Sequence, residues 1–287
     1  MPSPCSTLRW RDVLLTAAAP AIWGSTYIVT TELLPPGRPL TAALLRTLPA
    51  GVLLLLYAHV VPQRRDWWRI AVLSALNIGF FQALLFVAAY RLPGGLAAVL
   101  GSVQPLLVMG LTWAVDGRAP RRITLAAAGA GVGGMALLLL SPQTVPDPIG
   151  IIAALLGAIS MATGMWLTRR WQVALPIGAL TGWQLLLGGA MLMPAVRLWE
   201  APLPADMSPL QWSAYAYLSL VGALLAYGLW FRGITRLPTV AVASLGLLSP
   251  LTAVVLGWAL LAQSVSGMAL CGLLAVLGSV WIVQRTT

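Results

Sequence analysis

The chain has 287 residues, of which 59% are hydrophobic and only 8% charged, against about 25% charged in an ordinary soluble domain. All 17 cations are arginines and only 7 acids oppose them, for a net charge of +10. Those arginines lie singly or in small groups between apolar runs, which argues for membrane-flanking charge and against a nucleic-acid surface. Two cysteines, Cys5 and Cys271, and a single histidine, His59, argue against a disulfide framework or a zinc or iron centre. An all-α integral membrane protein with no cofactor is expected.

A bilayer core of about 30 Å takes about 20 helical residues to cross. Ten stretches meet that length, at 12–31, 40–61, 68–90, 94–115, 122–140, 149–168, 176–198, 212–232, 238–261 and 265–283. Arg9 and Arg11 precede the first, and Ala17-Ala18-Ala19 resembles a cleavage site. The apolar residues before that triplet are too few for a signal peptide, and the run continues to about Val29. A retained helix is predicted. Turn-forming groups such as Pro35-Pro36-Gly37, Arg64-Arg65-Asp66, Asp116-Gly117-Arg118 and Ser141-Pro142 punctuate the spans. The connection at Gln263-Ser264 carries no charge.

The N-terminus and alternate connections hold Arg9, Arg11, Arg64, Arg65, Arg69, Arg118, Arg121, Arg122, Arg169, Arg170, Arg232, Arg236 and Arg285. The opposite loops hold only Arg38, Arg91 and Arg197. Both termini are therefore expected on the cytoplasmic side. Arg46 alone falls well within a span.

Shifting the chain by 145 residues brings Arg91-Leu92-Pro93 onto Arg236-Leu237-Pro238, and gives 11 identities over the 24 residues from Arg91 to Ala114. Pro105-Leu106 meets Pro250-Leu251, and Trp113-Ala114 meets Trp258-Ala259. Two five-span repeats follow, residues 1–143 and 144–287. Five is odd, so related halves would lie in the membrane with opposite orientation, the arrangement on which alternating access rests.

The order of these features resembles the drug/metabolite transporter superfamily, in its EamA-type five-plus-five permeases. Ile22-Trp23-Gly24-Ser25, Leu45-Arg46 with Pro49-Ala50-Gly51, Trp183-Gln184, and the paired segments Leu100–Pro105 and Leu245–Pro250 carry the resemblance. It departs from that pattern in lacking an acid after the ninth span, where Gln263 stands. The resemblance implies a ten-helix bundle around a central cavity. It also implies movement of small metabolites, commonly amino acids, across a bacterial inner membrane.

Kinked segments at matching places in inverted halves point to a substrate site. Pro105 and Pro250 are such a pair, each removing a backbone donor. Gln104 and Ser249 precede them, and Gln82 and Tyr227 are paired by the same shift; these four either line a cavity or bridge helices. Arg46, about six residues or ~9 Å inside its span, offers a guanidinium to a substrate carboxylate, or snorkels outward, or pairs with Glu32. Trp23 and Trp183 lie deeper than the interfacial tryptophans and suit an aromatic cavity wall or helix packing. Asn77, Thr163, Gln184 and Ser244 are candidates by depth. Gly129-Ala130-Gly131-Val132-Gly133-Gly134 matches a dinucleotide fingerprint but has no preceding strand; it also reads as GxxxG from Gly129 to Gly133, allowing close helix packing.

All seven acids fall at span ends or in loops, which suggests a facilitator or exchanger in place of a proton-driven carrier. The single histidine and the absence of intramembrane aspartates argue against a membrane enzyme. The reading is a monomeric carrier of small metabolites, foremost amino acids, with the bilayer and a small-molecule substrate as its partners and no nucleic acid. The alternatives are a passive channel, or an exporter of drugs or nucleosides.

Overall fold

A computed structural model describes residues 4–92, 94–139, 147–261 and 267–287. The proposed boundary between repeats, at 143–144, and the Gln263-Ser264 connection lie outside them. Ten helices are long and apolar enough to cross a membrane: α1 Trp10–Thr30, α2 Pro39–Ala58, α3 Arg64–Ala88, α4 Leu96–Asp116, α5 Arg122–Leu139, α6 Pro148–Trp171, α7 Ile177–Trp199, α8 Pro209–Arg236, α9 Thr239–Leu260 and α10 Gly267–Thr286. Each matches one predicted span, and no strand occurs among the described residues.

Helices in lipid associate by close backbone approach, because tails are as apolar as leucine. The two tightest interfaces, α2 with α7 and α5 with α10, are built on glycine. A Cβ on Gly51 would meet the Leu186 nitrogen at 2.5 Å, and one on Gly272 the Gly134 carbonyl oxygen at 2.5 Å. On α5 the packed glycines are Gly131 and Gly134, the former against Ser279. Gly129 and Gly133, expected from the GxxxG spacing to pack a helix, have nothing within 4 Å of a Cβ and are exposed. The 3.6-residue period puts positions 131 and 134 on the other side of the helix from the 129/133 pair.

The remaining packing comes in matched pairs. α1 lies against α8 and α9 as α6 lies against α3 and α4, and α2 touches α8 as α7 touches α3. Two irregularities recur at matching places. α3 holds a π-helical turn at Ala75–Gly79 and α8 one at Leu220–Leu225. α4 is interrupted between Gly101 and Gln104, and α9 between Leu245 and Leu248. Pro105 sits in the first turn after the α4 break, where a missing N–H costs no helical hydrogen bond. Each break lies just before its proline, on the side where a proline disrupts a helix.

The polar ends sort the loops as the arginine count did. At the arginine-rich end Asp12 pairs with Arg232 and Arg236, and Asp116 with Arg170. At the other end Glu200 accepts from the backbone N–H groups of Leu40 and Thr41 and, at 2.6 Å, from the Thr41 hydroxyl, so its carboxylate stands at the positive end of α2. Arg91 faces Asp147 at 3.5 Å there. The halves also meet unequally. Segment 239–245 of α9 packs on 104–116 of α4 and on α6, at the arginine-rich end, while the matching segments 94–101 and 248–261 do not pack on each other to the same extent among the described residues.

Candidate functional site

A π turn widens the helix and frees carbonyls from the ordinary ladder. In α8 the freed group is the Gly222 carbonyl, which accepts from Trp23 Nε1 at 2.9 Å and from Arg46 Nη2 at 3.0 Å. Arg46 is 6% exposed. Its guanidinium is thus held inside the bundle and does not snorkel outward. A Cβ at position 222 would come 3.7 Å from Arg46 Nε, an ordinary van der Waals contact.

An aromatic wall completes the group. The Arg46 guanidinium carbon lies 5.8 Å from the Tyr227 ring centroid, within reach of a cation–π contact. Trp23 tilts against Tyr227 and Trp230 at 5.0 and 5.1 Å. The Tyr227 hydroxyl accepts from Gln82 Nε2 at 2.8 Å. Gln82 Oε1 and Trp230 Nε1, both buried, have no hydrogen-bond partner among the described residues. A cation, an unfilled acceptor and an unfilled donor thus surround one patch of aromatic surface.

Gln82 and Tyr227 are 145 residues apart, so each is the other's counterpart under the internal shift and the bond joins the two halves through equivalent residues. The same shift maps Gly222 back to Asn77 and Trp23 forward to Thr168; an offset of 138, which superposes the Gly51 and Gly189 contacts of α2 and α7, carries Arg46 to Gln184. Asn77 Nδ2 does donate to Gln184 Oε1 at 2.7 Å and to Thr168 Oγ1 at 3.2 Å. The Arg46–Gly222–Trp23 group therefore has a neutral image, Gln184–Asn77–Thr168, in the other half.

The other sequence candidates scatter. Trp183 does not join the aromatic wall: its ring meets Trp67 at 4.8 Å and its Nε1 donates to the Val60 carbonyl at 3.0 Å. Ser244 joins helices, donating to the Ala241 carbonyl and accepting from Gln284 Nε2. Gln104 is half-buried with Nε2 at 3.1 Å from Met165 Sδ, and Thr163 is half-buried on α6. The Ser249 carbonyl lies against Gly24, where a Cβ would approach to 2.5 Å, and Pro250 is half-buried beside it. Sequence reasoning missed Gly222, whose contribution is a carbonyl and has no side-chain signal. It also missed Trp230, one turn beyond Tyr227, and Thr168, which the shift from Trp23 identifies.

Compared with known proteins, the chain matches the EamA-like transporter family twice, over residues 10–140 and 148–285. It is 43% identical over 269 residues to Protein PecM of Dickeya dadantii, covering 93% of this chain and 90% of that one. It is 29% identical over 251 residues to the uncharacterized inner membrane transporter YedA of Escherichia coli, covering 85% and 81%. A solved crystal structure shares the fold, with a TM-score of 0.79 at 18% identity over 95% of this chain and 98% of that one. Two family segments, ten membrane-crossing helices and a buried polar centre between them agree: the chain belongs to the EamA-like transporter family and is a multi-pass membrane transporter.

Proposed function

We propose that the protein is a facilitative carrier or exchanger that exports small metabolites, foremost amino acids, across a bacterial inner membrane by alternating access. In this reading the five-helix repeats 1–143 and 144–287 are inverted, both termini are cytoplasmic, and the monomer is the working unit. The observation that carries it is Arg46, drawn into the bundle onto a backbone carbonyl freed by a π turn and lying against Tyr227. A guanidinium offers a carboxylate two parallel charge-assisted hydrogen bonds, stronger than its bond to a neutral carbonyl. The aromatic wall of Trp23, Tyr227 and Trp230 suits an apolar or aromatic side chain on the same substrate.

Conformation supports the same reading. With the arginine-rich end cytoplasmic, the packing of α9 on α4 and α6 closes the inner end while the outer segments stand apart, an outward-facing state. The acids sit at helix ends, so the driving force is the substrate gradient.

The test is counterflow in proteoliposomes against amino acids, nucleosides and cationic drugs, repeated with Arg46→Ala. Saturable amino-acid exchange, lost in the variant and indifferent to an imposed pH gradient, is expected. Unchanged amino-acid exchange in Arg46→Ala refutes the carboxylate role, strong pH-gradient dependence refutes the facilitator, and non-saturating flux points to a channel.

A further inference from the structure

At the arginine-rich end a cleft of about 240 Å³ is lined by Thr168, Arg169, Gln172, Val173 and Thr235. It lies between the end of α8 and the end of α6, the helix on which α9 packs at this face. Arg169 bridges them: its Nη1 donates to the carbonyls of Ile234 and Thr235. Its neighbours are treated differently. Arg170 pairs with Asp116, and Arg232 and Arg236 with Asp12. Arg169 alone of these four has only carbonyl partners among the described residues. The cleft wall is also continuous with the neutral polar group, because Thr168 both lines it and accepts from Asn77, which donates in turn to Gln184.

We infer that this cleft is the cytoplasmic intake site for carboxylate-bearing substrates, and that binding there releases the inner closure. The inference rests on the carrier reading above. A carboxylate in the cleft meets Arg169, flanked by the polar side chains of Gln172, Thr168 and Thr235, at an end whose clustered arginines concentrate anions. A guanidinium–carboxylate pair joins two opposite charges through two parallel hydrogen bonds and is stronger than the same guanidinium's bond to a neutral carbonyl. The substrate therefore takes Arg169 from Ile234 and Thr235 and unties α8 from α6. A ligand moves a conformational equilibrium only through differential affinity, and this exchange of partners supplies it: Arg169 serves the carbonyls in the closed state and the carboxylate in the open one. The same chemistry is carried by an anionic lipid headgroup, so the source of the anion is part of the test.

The experiment measures exchange of the twenty amino acids, and of their carboxamides, from each face of proteoliposomes of determined orientation. Vesicles are made of phosphatidylcholine alone or with phosphatidylglycerol. Arg169→Gln is expected to raise KM for amino acids at the arginine-rich face about tenfold, the loss of one charged hydrogen bond. KM at the opposite face and KM for any carboxamide stay unchanged, and Arg169→Lys recovers part of the loss. Asp12→Asn, which loosens the same end outside the cleft, is expected to change the rate and leave KM alone. Equal KM shifts at both faces, equal loss for carboxamides, or a full match of Asp12→Asn to Arg169→Gln overturns the site. An effect that requires phosphatidylglycerol assigns the cleft to lipid and also overturns it. If the wild type exchanges no amino acid, the carrier reading fails and the inference with it; if the wild type does and Arg169→Gln is silent, only the inference fails.

Discussion

Removing the bond between Gln82 and Tyr227 tests the junction of the two halves. The partners lie 2.8 Å apart and are 1% and 2% exposed. Tyr227→Phe deletes the hydroxyl and keeps the ring against Trp23 and Phe231. A hydrogen bond between membrane helices contributes about 0.6 kcal/mol on average and about 1.7 at most. Here the variant also strips the last described partner from the Gln82 amide, whose Oε1 already lacks one, and an orphaned buried polar group costs about 1–3 kcal/mol. Tyr227→Phe is therefore expected to destabilise by about 1.5 kcal/mol, at the upper side of the membrane range. Gln82→Leu orphans a hydroxyl in place of an amide and should cost about 1 kcal/mol. The double variant removes both polar groups together and should cost no more than the larger single change. Reversible unfolding in mixed micelles, followed by helical circular dichroism, gives all four corners of the cycle. A coupling of about 1 kcal/mol is expected; single effects that add to within about 0.3 kcal/mol would show that the two groups do not depend on each other.

Other expectations follow from the packing and the helix ends. Gly272→Leu drives a side chain into the Gly134 carbonyl, already 2.5 Å from a Cβ. It should destabilise by about 3 kcal/mol in the same unfolding assay, while Gly129→Leu, at a position where a Cβ meets nothing within 4 Å, is neutral. Glu200→Gln removes the carboxylate that holds the first turn of α2. A loss of about 1 kcal/mol and faster amide exchange at Leu40 and Thr41 are expected, with Glu200→Asp intermediate. Asp147 caps α6 by accepting from the Gly150 N–H at 2.8 Å. That bond, helped by Arg91, holds its carboxyl below the ordinary range. A depressed carboxyl contributes stability above its unfolded titration and loses it as pH falls through the folded value. Amide exchange in the first turn of α6 should therefore accelerate only below the ordinary carboxylate range, and Asp147→Asn should abolish that pH dependence.

Particular residues show how far the amino-acid order carried the reading. The ten spans were plain because crossing lipid demands about twenty apolar residues each time, and every one reappears as a helix. The 145-residue shift marks Gln82 and Tyr227 as equivalent positions, and the depth of Arg46 marks it as out of place in lipid. What escaped was whatever depends on helix phase or on backbone chemistry. Trp183 stands near the start of α7 and packs on Trp67 at the start of α3, whereas Trp23 lies well inside α1 and packs on Tyr227, a difference set by how the helices are arranged in the bundle. The glycine spacing on α5 suggested the Gly129–Gly133 side, whereas α10 packs against Gly131 and Gly134.

Composition, charge placement and the identities under the 145-residue shift determined a ten-helix membrane protein, the sorting of its loops into two polar ends, and a repeated half. Those properties follow from the cost of lipid burial, which acts on each segment separately. Tertiary structure assembled the candidate site. Only the packed bundle places a π turn of α8 where its Gly222 carbonyl meets Arg46 from α2 and Trp23 from α1, and only it shows the neutral image of that group at Asn77, Gln184 and Thr168. The reason is that a carbonyl freed from its own helix looks like any other in the sequence, and its chemistry appears only when another helix brings a donor to it.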